Sequence, residues 1–182
     1  TKVGSQLLRM EKCKNCKNGV LAVPMEHADF SLRSWLRQRG QDLEAKQRTA
    51  ACFDFKMVPL CVSDICRGIA HMHQLGLMHR DMKPDNVVVF FDHGGPPRLK
   101  ITDFGAARAY KDICKALPFA DGDHPLSLDV CTHWYAAVEL LLEDRLYSEK
   151  VDVWSIGCII GELVTGYPLF RGKGDKPYHV VK

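Results

Sequence analysis

The segment HRDMKPDNVVVFF, residues 79–91, places charged and polar side chains directly before a β-branched and aromatic run. A second run of strand-forming residues, RLKIT at 98–102, follows after the linker DHGGPP. Two such runs around a turn rich in glycine and proline predict an antiparallel hairpin that pairs 87–91 with 98–102. The polar residues therefore lie at the open end of this predicted hairpin.

The open end of the hairpin brings oxygen ligands together. Asn86 immediately precedes the first strand and Asp103 immediately follows the second, so antiparallel pairing places them side by side, roughly 5 Å apart. An amide oxygen and a carboxylate suit a hard divalent cation such as Mg²⁺. Asp81 and Lys83 lie on the same loop, and the combined set fits phosphoryl transfer, because charge on the transferring group must be neutralised. Taken singly, each residue has an ordinary alternative, such as a surface ion pair between Asp81 and Arg80, a turn at Asn86 or a helix N-cap at Asp103.

Three segments carry helix patterns. VPLCVSDICRGIAHMHQLG predicts a helix over 58–75 that stops at Gly76, because its apolar residues recur on one face: Val62, Ile65, Ile69 and Met72. VDVWSIGCIIGELVTG is apolar almost all round, which predicts a helix over 151–165 buried at the centre of the fold. EHADFSLRSWLRQRG predicts a shorter helix with Gly40 as its stop.

Less regular segments separate these elements. Residues 41–56 and 105–133 are predicted loops, and a loop as long as the second is usually functional. SQLLRM and VLAVPM, on either side of EKCKNCKNG, predict a further hairpin. Its Cys13 and Cys16 form a C-x-x-C pair, but no second ligand pair follows at zinc spacing. A polar hairpin tip with two thiols is therefore favoured over a metal or redox site.

The composition is that of an ordinary globular protein. The chain has 182 residues, of which 46% are hydrophobic and 26% charged, and its net charge of +3 argues against nucleic acid as a partner. It has no apolar run of about 18 residues, so no membrane partner is expected. Eight cysteines, several of them in apolar surroundings, predict reduced thiols and a cytoplasmic or nuclear location. Because the chain begins at Thr1, we expect a processed, trimmed or incomplete N-terminus.

Four motifs, in order, resemble those of protein kinases. HRDMKPDN resembles the catalytic loop, DFG at 103–105 the metal-binding motif, AVE at 137–139 the A-P-E motif, and VDVWSIGCIIGELVTGYPLF the central helix of the large lobe. DFGAARAY and THWYAAVELLL resemble the cyclin-dependent and mitogen-activated branch, and Lys83 follows the serine/threonine pattern. The resemblance implies an α+β, protein-kinase-like fold. Residues 1–28 would form the end of the small lobe, a remnant β-hairpin and the hinge, and 29–182 a partial, mainly α-helical large lobe.

The resemblance implies ATP and Mg²⁺ as cofactors and a serine or threonine of a protein as the phosphate acceptor. Asp81 would accept or orient the proton of the substrate hydroxyl, and Lys83 would steady the γ-phosphate. Asn86 and Asp103 would hold Mg²⁺. Thr132 would hydrogen-bond toward Asp81 and Lys83 from the substrate-binding loop.

The segment VPMEHADFSL resembles the hinge between the lobes. By that resemblance Met25 would be the gatekeeper, although Pro24 precedes it where a strand should donate a hydrogen bond. Glu26 to Ala28 would supply the backbone groups that meet adenine. Val88 would lie under the adenine ring.

Other residues would have structural roles. The resemblance implies that His79 and Phe104 stack in the spine that links the lobes, beside Gly105 of the same DFG motif. Asp152 would anchor the backbone of the catalytic loop from the central helix. Glu139 would be the glutamate of the A-P-E motif.

A phosphorylation switch is also expected. In the branch that the chain resembles, an activating threonine lies five positions before the substrate-loop threonine, and counting back from Thr132 leads to Ser127. A phosphate on Ser127 would pair with the guanidinium of Arg80, with Arg108 as a second partner, and would order the loop. The alternative is an ordinary loop serine, because Asp129 and Asp123 nearby could supply part of the negative charge without a phosphate.

The chain also departs from the family pattern. No glycine-rich phosphate loop or strand lysine precedes the hinge, Ala136 stands where the branch has arginine, and Val138 where it has proline. Two hypotheses follow: a piece of an active serine/threonine kinase, which the intact catalytic loop favours, or a remnant that binds partners without catalysis. We expect the isolated chain to transfer phosphate poorly and to associate through uncovered apolar surface. The complete kinase would engage a cyclin-like regulatory subunit through the small lobe.

Overall fold

A computed structural model gives the three-dimensional structure of the chain. It describes residues 14–15, 21–22, 25–44, 56–92, 94–109, 133–142 and 147–171. The strands and helices in these ranges are, in chain order, β1 (Lys14–Asn15), β2 (Leu21–Ala22), β3 (Phe30–Ser31), α1 (Leu32–Glu44), α2 (Val58–Gln74), β4 (Leu77–Met78), β5 (Val87–Phe90), β6 (Arg98–Ile101), β7 (Arg108–Ala109), α3 (Val138–Leu141) and α4 (Lys150–Thr165). Short 3-10 turns lie at 84–86, 104–106 and 133–135.

The predicted central hairpin is confirmed. β5 and β6 pair antiparallel, with Val87 opposite Ile101. The N–H of Thr102 donates to the carbonyl of Asn86 at 3.0 Å, which extends the ladder by one residue. β3 pairs with the other edge of β5, so the strand order is β3-β5-β6. Asn86 and Asp103 therefore flank the open end of the hairpin. They are not the directly opposed pair that the sequence predicts, because Asn86 lies opposite Thr102 and Asp103 follows one residue later.

The two faces of this sheet have different environments. One face is buried in the core beside the apolar side of α2 and consists of Val87, Val89, Leu99 and Ile101. The other face carries Val88 and Lys100, which lie directly opposite one another and are half-buried. This second face, here called the outer face, is the one that Glu26 of the hinge contacts.

The predicted helix over 58–75 is confirmed as α2, which ends at Gln74. Gly76 follows it with a φ of 76°, a left-handed conformation that glycine adopts at little cost and that ends helices. The helix also covers the free edge of β6. Its Asp64 Oδ2 accepts a hydrogen bond from the backbone N–H of Leu99 at 3.0 Å.

Asp64→Ala should lower the free energy of unfolding by about 1–2 kcal/mol, because the N–H of the buried Leu99 would lose its acceptor. Urea denaturation followed by circular dichroism measures the loss. Asp64→Asn keeps an acceptor oxygen at the same place and should recover most of the stability. Equal losses in the two variants would show that the hydrogen bond is not the source of the effect.

The predicted stop of the first helix is wrong. α1 continues through Gly40 to Glu44. An interior glycine costs a helix only about 1 kcal/mol, and the first turns are held by Leu32, Trp35 and Leu36, which are buried in the core. Packing of these side chains outweighs the local preference at Gly40.

The first hairpin is described only near its tip. β1 lies within the segment that the sequence assigns to the loop, with Lys14 opposite Ala22 in antiparallel pairing with β2. A short loop costs less conformational entropy to close than a long one, so strand pairing close to the tip of the hairpin is favoured. Residues 5–10, Cys13 and Cys16 lie outside the described part of the chain.

The central helix is buried on one side only. Ile159 and Leu163 of α4 lie fully in the core, whereas Val153 is 51% exposed and Trp154 is 40% exposed. The prediction of burial all round is therefore wrong for the described part of the chain, because apolar composition does not reveal which neighbour covers each side. The exposed side is the kind of surface from which association is expected, and association itself stays a prediction.

The described cysteines are free thiols. Cys61 and Cys158 are buried and Cys66 is exposed. Burial raises the pKa of Cys61 and of Cys158 to about 11, so both remain protonated and weakly reactive at neutral pH. Across the described ranges, no helix has the length and apolar character needed to cross a membrane.

Candidate active site

A carboxylate from the central helix holds the start of the catalytic loop. Asp152 is fully buried in the first turn of α4. Its Oδ2 accepts from the backbone N–H of His79 at 2.9 Å and from Nε2 of His73 at 2.8 Å, and its Oδ1 accepts from the N–H of Arg80 at 2.8 Å. Arg80 has a φ of 68°, which is costly for a residue other than glycine. Asp152 thus fixes a strained turn immediately before Asp81, the contact with the loop backbone that the resemblance implies.

Three predicted residues meet on this loop. Asp81 Oδ2 accepts from Lys83 Nζ at 2.8 Å and from Asn86 Nδ2 at 3.0 Å, and the same Nδ2 donates to the backbone carbonyl of Asp81 at 2.7 Å. The side chains of Lys83 and Asp81 are 13% and 16% exposed. The carboxylate is therefore oriented by two donors at a site partly shielded from water, where electrostatic interactions are stronger.

The DFG segment begins where β6 ends. Asp103 has a φ of 61°, and its exposed carboxylate accepts weakly from the N–H of Gly105 at 3.4 Å. The Phe104 ring meets the fully buried His79 edge-on, with centroids 5.7 Å apart. His79 Nε2 donates to the carbonyl of Thr102 at 3.0 Å. The two rings of the predicted spine are therefore in contact, but edge-to-face rather than stacked.

Asn86 and Asp103 have the donor atoms that Mg²⁺ requires. The Nδ2 of Asn86 donates to Asp81. The oxygen of the same amide group therefore points away from Asp81. Asp103 carries a carboxylate at the neighbouring end of the hairpin. In the described ranges, no group of three or more histidine, cysteine, aspartate or glutamate side chains is arranged to hold a metal. Mg²⁺ at this site would rely on the amide and the carboxylate together with oxygens of a bound phosphate, as is usual for this ion.

The side chain of Arg80 faces the DFG segment. Its Nε donates to the carbonyl of Ala106 at 2.7 Å and its Nη1 to the hydroxyl of Tyr147 at 3.0 Å. Glu139 lies half-buried in the first turn of α3. Ser127 and Thr132 lie outside the described part of the chain. The predicted pairing of Arg80 with a phosphate on Ser127 therefore stays a prediction.

Two of the predicted adenine-binding residues, Glu26 and Val88, lie at the outer face of the hairpin. Glu26 forms an ion pair with Lys100, which is opposite Val88 on that face. Ala28 is half-buried two residues further on. Met25 is 57% exposed, so its side chain does not form a buried back wall in the described structure, as a gatekeeper would.

A partly buried polar cluster joins four parts of the fold. Arg33 of α1 donates from Nη1 to Glu162 at 2.6 Å, from Nη2 to the Tyr135 hydroxyl at 2.6 Å and from Nε to Asp85 at 3.2 Å. The Tyr135 hydroxyl in turn donates to Glu162. The cluster links α1 and α4 with the turn before β5 and the turn at 133–135. Its signal in the sequence is Glu162, a charged residue that follows the apolar run of α4.

The cluster shifts the pKa values of Arg33 and Tyr135. Burial by itself lowers the pKa of Arg33, but the hydrogen bond to Tyr135 and the charges of Glu162 and Asp85 outweigh it, so the pKa is raised. Burial, followed by the hydrogen bond to Glu162, raises the pKa of Tyr135. The guanidinium stays charged and the hydroxyl stays protonated over the physiological range.

Tyr135→Phe should cost about 1–2 kcal/mol in the free energy of unfolding at neutral pH, because Arg33 and Glu162 each lose a hydrogen-bond partner. Since the folded pKa of Tyr135 is raised, its contribution is fully present below about pH 10 and is lost as the pH rises further, when the unfolded tyrosine ionises first. Urea denaturation at several alkaline pH values should therefore show a shallower loss of stability in the variant. Tyr167→Phe, at a side chain that is 55% exposed, is the matched control and should behave like the wild type. Identical pH slopes for Tyr135→Phe and the wild type would contradict the prediction.

Comparison with protein families agrees with this geometry. The family model described as "Protein kinase domain" matches residues 23–181. That range contains the catalytic loop, the DFG segment and the central helix, and therefore covers every contact of the site described above.

Comparison with individual proteins shows which kinases the chain is similar to. The chain is 34% identical over 160 residues to "Cell division control protein 2 homolog 3" of Trypanosoma brucei brucei, a match that covers 88% of this chain and 44% of that protein. It is 38% identical over 154 residues to "Cyclin-dependent kinase 11.2" of Caenorhabditis elegans, with 83% of this chain and 20% of the relative covered. With "Cyclin-dependent kinase 20" of Homo sapiens it shares 41% identity over 111 residues, or 61% of this chain and 29% of the relative. The chain thus spans less than half the length of these relatives. With the kinase model matching most of its length, the chain belongs to the protein kinase family, and within that family to the cyclin-dependent branch.

Proposed function

We propose that this protein transfers the γ-phosphate of ATP to serine or threonine hydroxyls of protein substrates, with Mg²⁺ as the metal. The observation that carries the proposal is the orientation of the Asp81 carboxylate by Lys83 and Asn86 on a loop anchored by Asp152. A single surface ion pair would not require that anchor, nor the strained backbone that it holds.

Each residue of the site has a role that its contacts support. Asp81 would accept or orient the proton of the substrate hydroxyl, since its carboxylate is already fixed in direction. Lys83 would steady the transferring phosphate, because its ammonium lies beside the same carboxylate. Asn86 and Asp103 would hold Mg²⁺, which neutralises negative charge on the phosphates when bound.

Regulation and partners are part of the same proposal. Phosphorylation of Ser127 would draw Arg80 to the new phosphate and order the loop that carries Thr132. Arg80 already lies against the DFG segment through Ala106, so its pairing with a phosphate would connect the loop to the metal-binding motif. The proposed partners are a protein substrate and a cyclin-like regulatory subunit, and the proposed location is the cytoplasm or the nucleus.

The test is phosphoryl transfer by the protein purified with its native termini. Radiolabelled ATP, Mg²⁺ and a basic protein substrate should yield label on serine and threonine, with EDTA as the control that removes the metal. The 182-residue chain assayed in parallel should transfer far less, because the glycine-rich loop that holds the phosphates in the family is not in its sequence. Absence of label from the native protein, with and without a cyclin, would overturn the proposal.

A further inference from the structure

A lysine that the proposed chemistry does not use ties the hinge to the hairpin. Lys100 of β6 forms an ion pair through Nζ with Glu26 of the hinge. The same nitrogen lies 5.0 Å from the centre of the Phe90 ring, within the range of a cation–π contact. The ammonium is therefore held from two sides, by the hinge and by β5.

The shielding of this pair distinguishes it from an ordinary surface ion pair. The side chains of Lys100 and Glu26 are 13% and 28% exposed. A second ion pair on the same hairpin, between Arg98 and Asp92, has side chains that are 54% and 62% exposed. Exposed pairs contribute little because water and salt screen them, whereas a partly buried pair is screened less. The Arg98 pair is therefore a natural control for the Lys100 pair.

The downstream end of the hinge is attached to the hairpin separately. The N–H of Asp29 donates to the carbonyl of Val89 at 3.1 Å, and the Asp29 carboxylate accepts from the N–H of Phe91 at 2.8 Å. β3 then continues the pairing along β5. The stretch 26–29 is consequently held against the hairpin at both ends, by Lys100 at its start and by β5 at its end.

We infer that Lys100 is a positioning residue for nucleotide binding: by clamping Glu26 it sets the backbone of 26–29 against the outer face of the hairpin before the nucleotide arrives. The inference rests on the proposed function, because this stretch supplies the backbone groups proposed to meet adenine and Val88, opposite Lys100, is the proposed floor. A segment ordered in advance does not lose conformational entropy on binding, so the clamp favours affinity. Lys100 itself touches no reacting atom, and its effect is on binding rather than on the chemical step.

The experiment measures the affinity of the native-length protein for mant-ADP, a fluorescent nucleotide, by titration. Lys100→Met, which keeps an apolar stem over Phe90, should raise the Kd by about 3- to 10-fold and raise the KM for ATP similarly, with kcat changed by less than about 2-fold. Arg98→Met should leave both constants at the wild-type value. The double exchange Lys100→Glu with Glu26→Lys restores opposite charges and should recover most of the lost affinity.

Hydrogen exchange of the same variants without nucleotide gives a second readout. Lys100→Met should accelerate exchange of backbone amides in 26–29, and Arg98→Met should not. Unchanged exchange, an unchanged Kd, or an equal effect of Arg98→Met overturns the inference, as does failure of the double exchange to recover affinity. If the unaltered protein does not bind mant-ADP, the inference and the proposed function fall together. If it binds mant-ADP with the expected variant effects but does not label a substrate, only the proposed function falls.

Discussion

Asp81→Asn should slow phosphoryl transfer by the native-length protein about 100- to 10,000-fold, the usual contribution of a positioned acid–base group. An amide cannot take a proton from the substrate hydroxyl. Its oxygen can still accept from Lys83 and Asn86, so the loop should keep its shape. The loss should therefore appear in kcat, while the affinity for mant-ADP and the melting temperature remain near those of the wild type.

The measurement is initial-rate kinetics with varied ATP and protein substrate. Asp92→Asn is the matched control, because its carboxylate is 62% exposed on the same hairpin and should have no effect on the rate. A variant Asp81→Asn that retains more than about a tenth of the wild-type kcat would remove Asp81 from the catalytic role. A parallel fall in melting temperature and in mant-ADP affinity would show instead that the loop had been disrupted.

Asp152→Ala should have the largest effect on stability, about 3–5 kcal/mol in the free energy of unfolding. The change leaves the backbone N–H groups of His79 and Arg80 without acceptors and takes away the partner of His73. It also removes the support for the left-handed backbone at Arg80. A loss of this size is a large share of the total stability of a typical domain.

Urea denaturation measures this prediction, and two further variants make it informative. Asp152→Asn retains one acceptor oxygen, so it should fold and lose an intermediate amount, which keeps the test usable if Asp152→Ala does not fold. Asp92→Ala removes an exposed carboxylate and should change stability by less than about 0.5 kcal/mol. Losses below about 1 kcal/mol for Asp152→Ala would contradict the role of this carboxylate as the anchor of the catalytic loop.

Because one side of α4 is exposed, the protein concentration matters in the denaturation experiments. Val153, Trp154 and Val164 are between 40% and 51% exposed on this helix. Apolar side chains at the surface promote association, which would make apparent stability depend on protein concentration. Each denaturation curve should therefore be recorded at two concentrations, and agreement between them shows that folding alone is observed.

The sequence by itself determined those features that depend on neighbours in the chain. The β5–β6 hairpin could be predicted because strand-forming runs and a glycine–proline turn are local signals. Antiparallel pairing then places Asn86 and Asp103 at the same open end, but the exact register, with Asn86 opposite Thr102, could not be predicted. Helix α2 could be predicted because its apolar period is continuous and a glycine ends it. The grouping of Asp81 and Lys83 with Asn86 needed no more than their few positions of separation on one loop.

Only the tertiary structure decided which distant residues became partners. Arg33 and Glu162 are 129 positions apart, and Lys100 and Glu26 are 74 apart, so no local period relates them. The continuation of α1 through Gly40 was likewise decided by the burial of its earlier turns, which outweighs a small local penalty. The exposed side of α4 was also decided by tertiary structure. The apolar sequence of a helix predicts that the helix packs against other elements, but it does not identify those elements. Contacts between elements depend on how the whole chain packs. The Arg33 cluster and the ion pair between Lys100 and Glu26 are contacts of this kind.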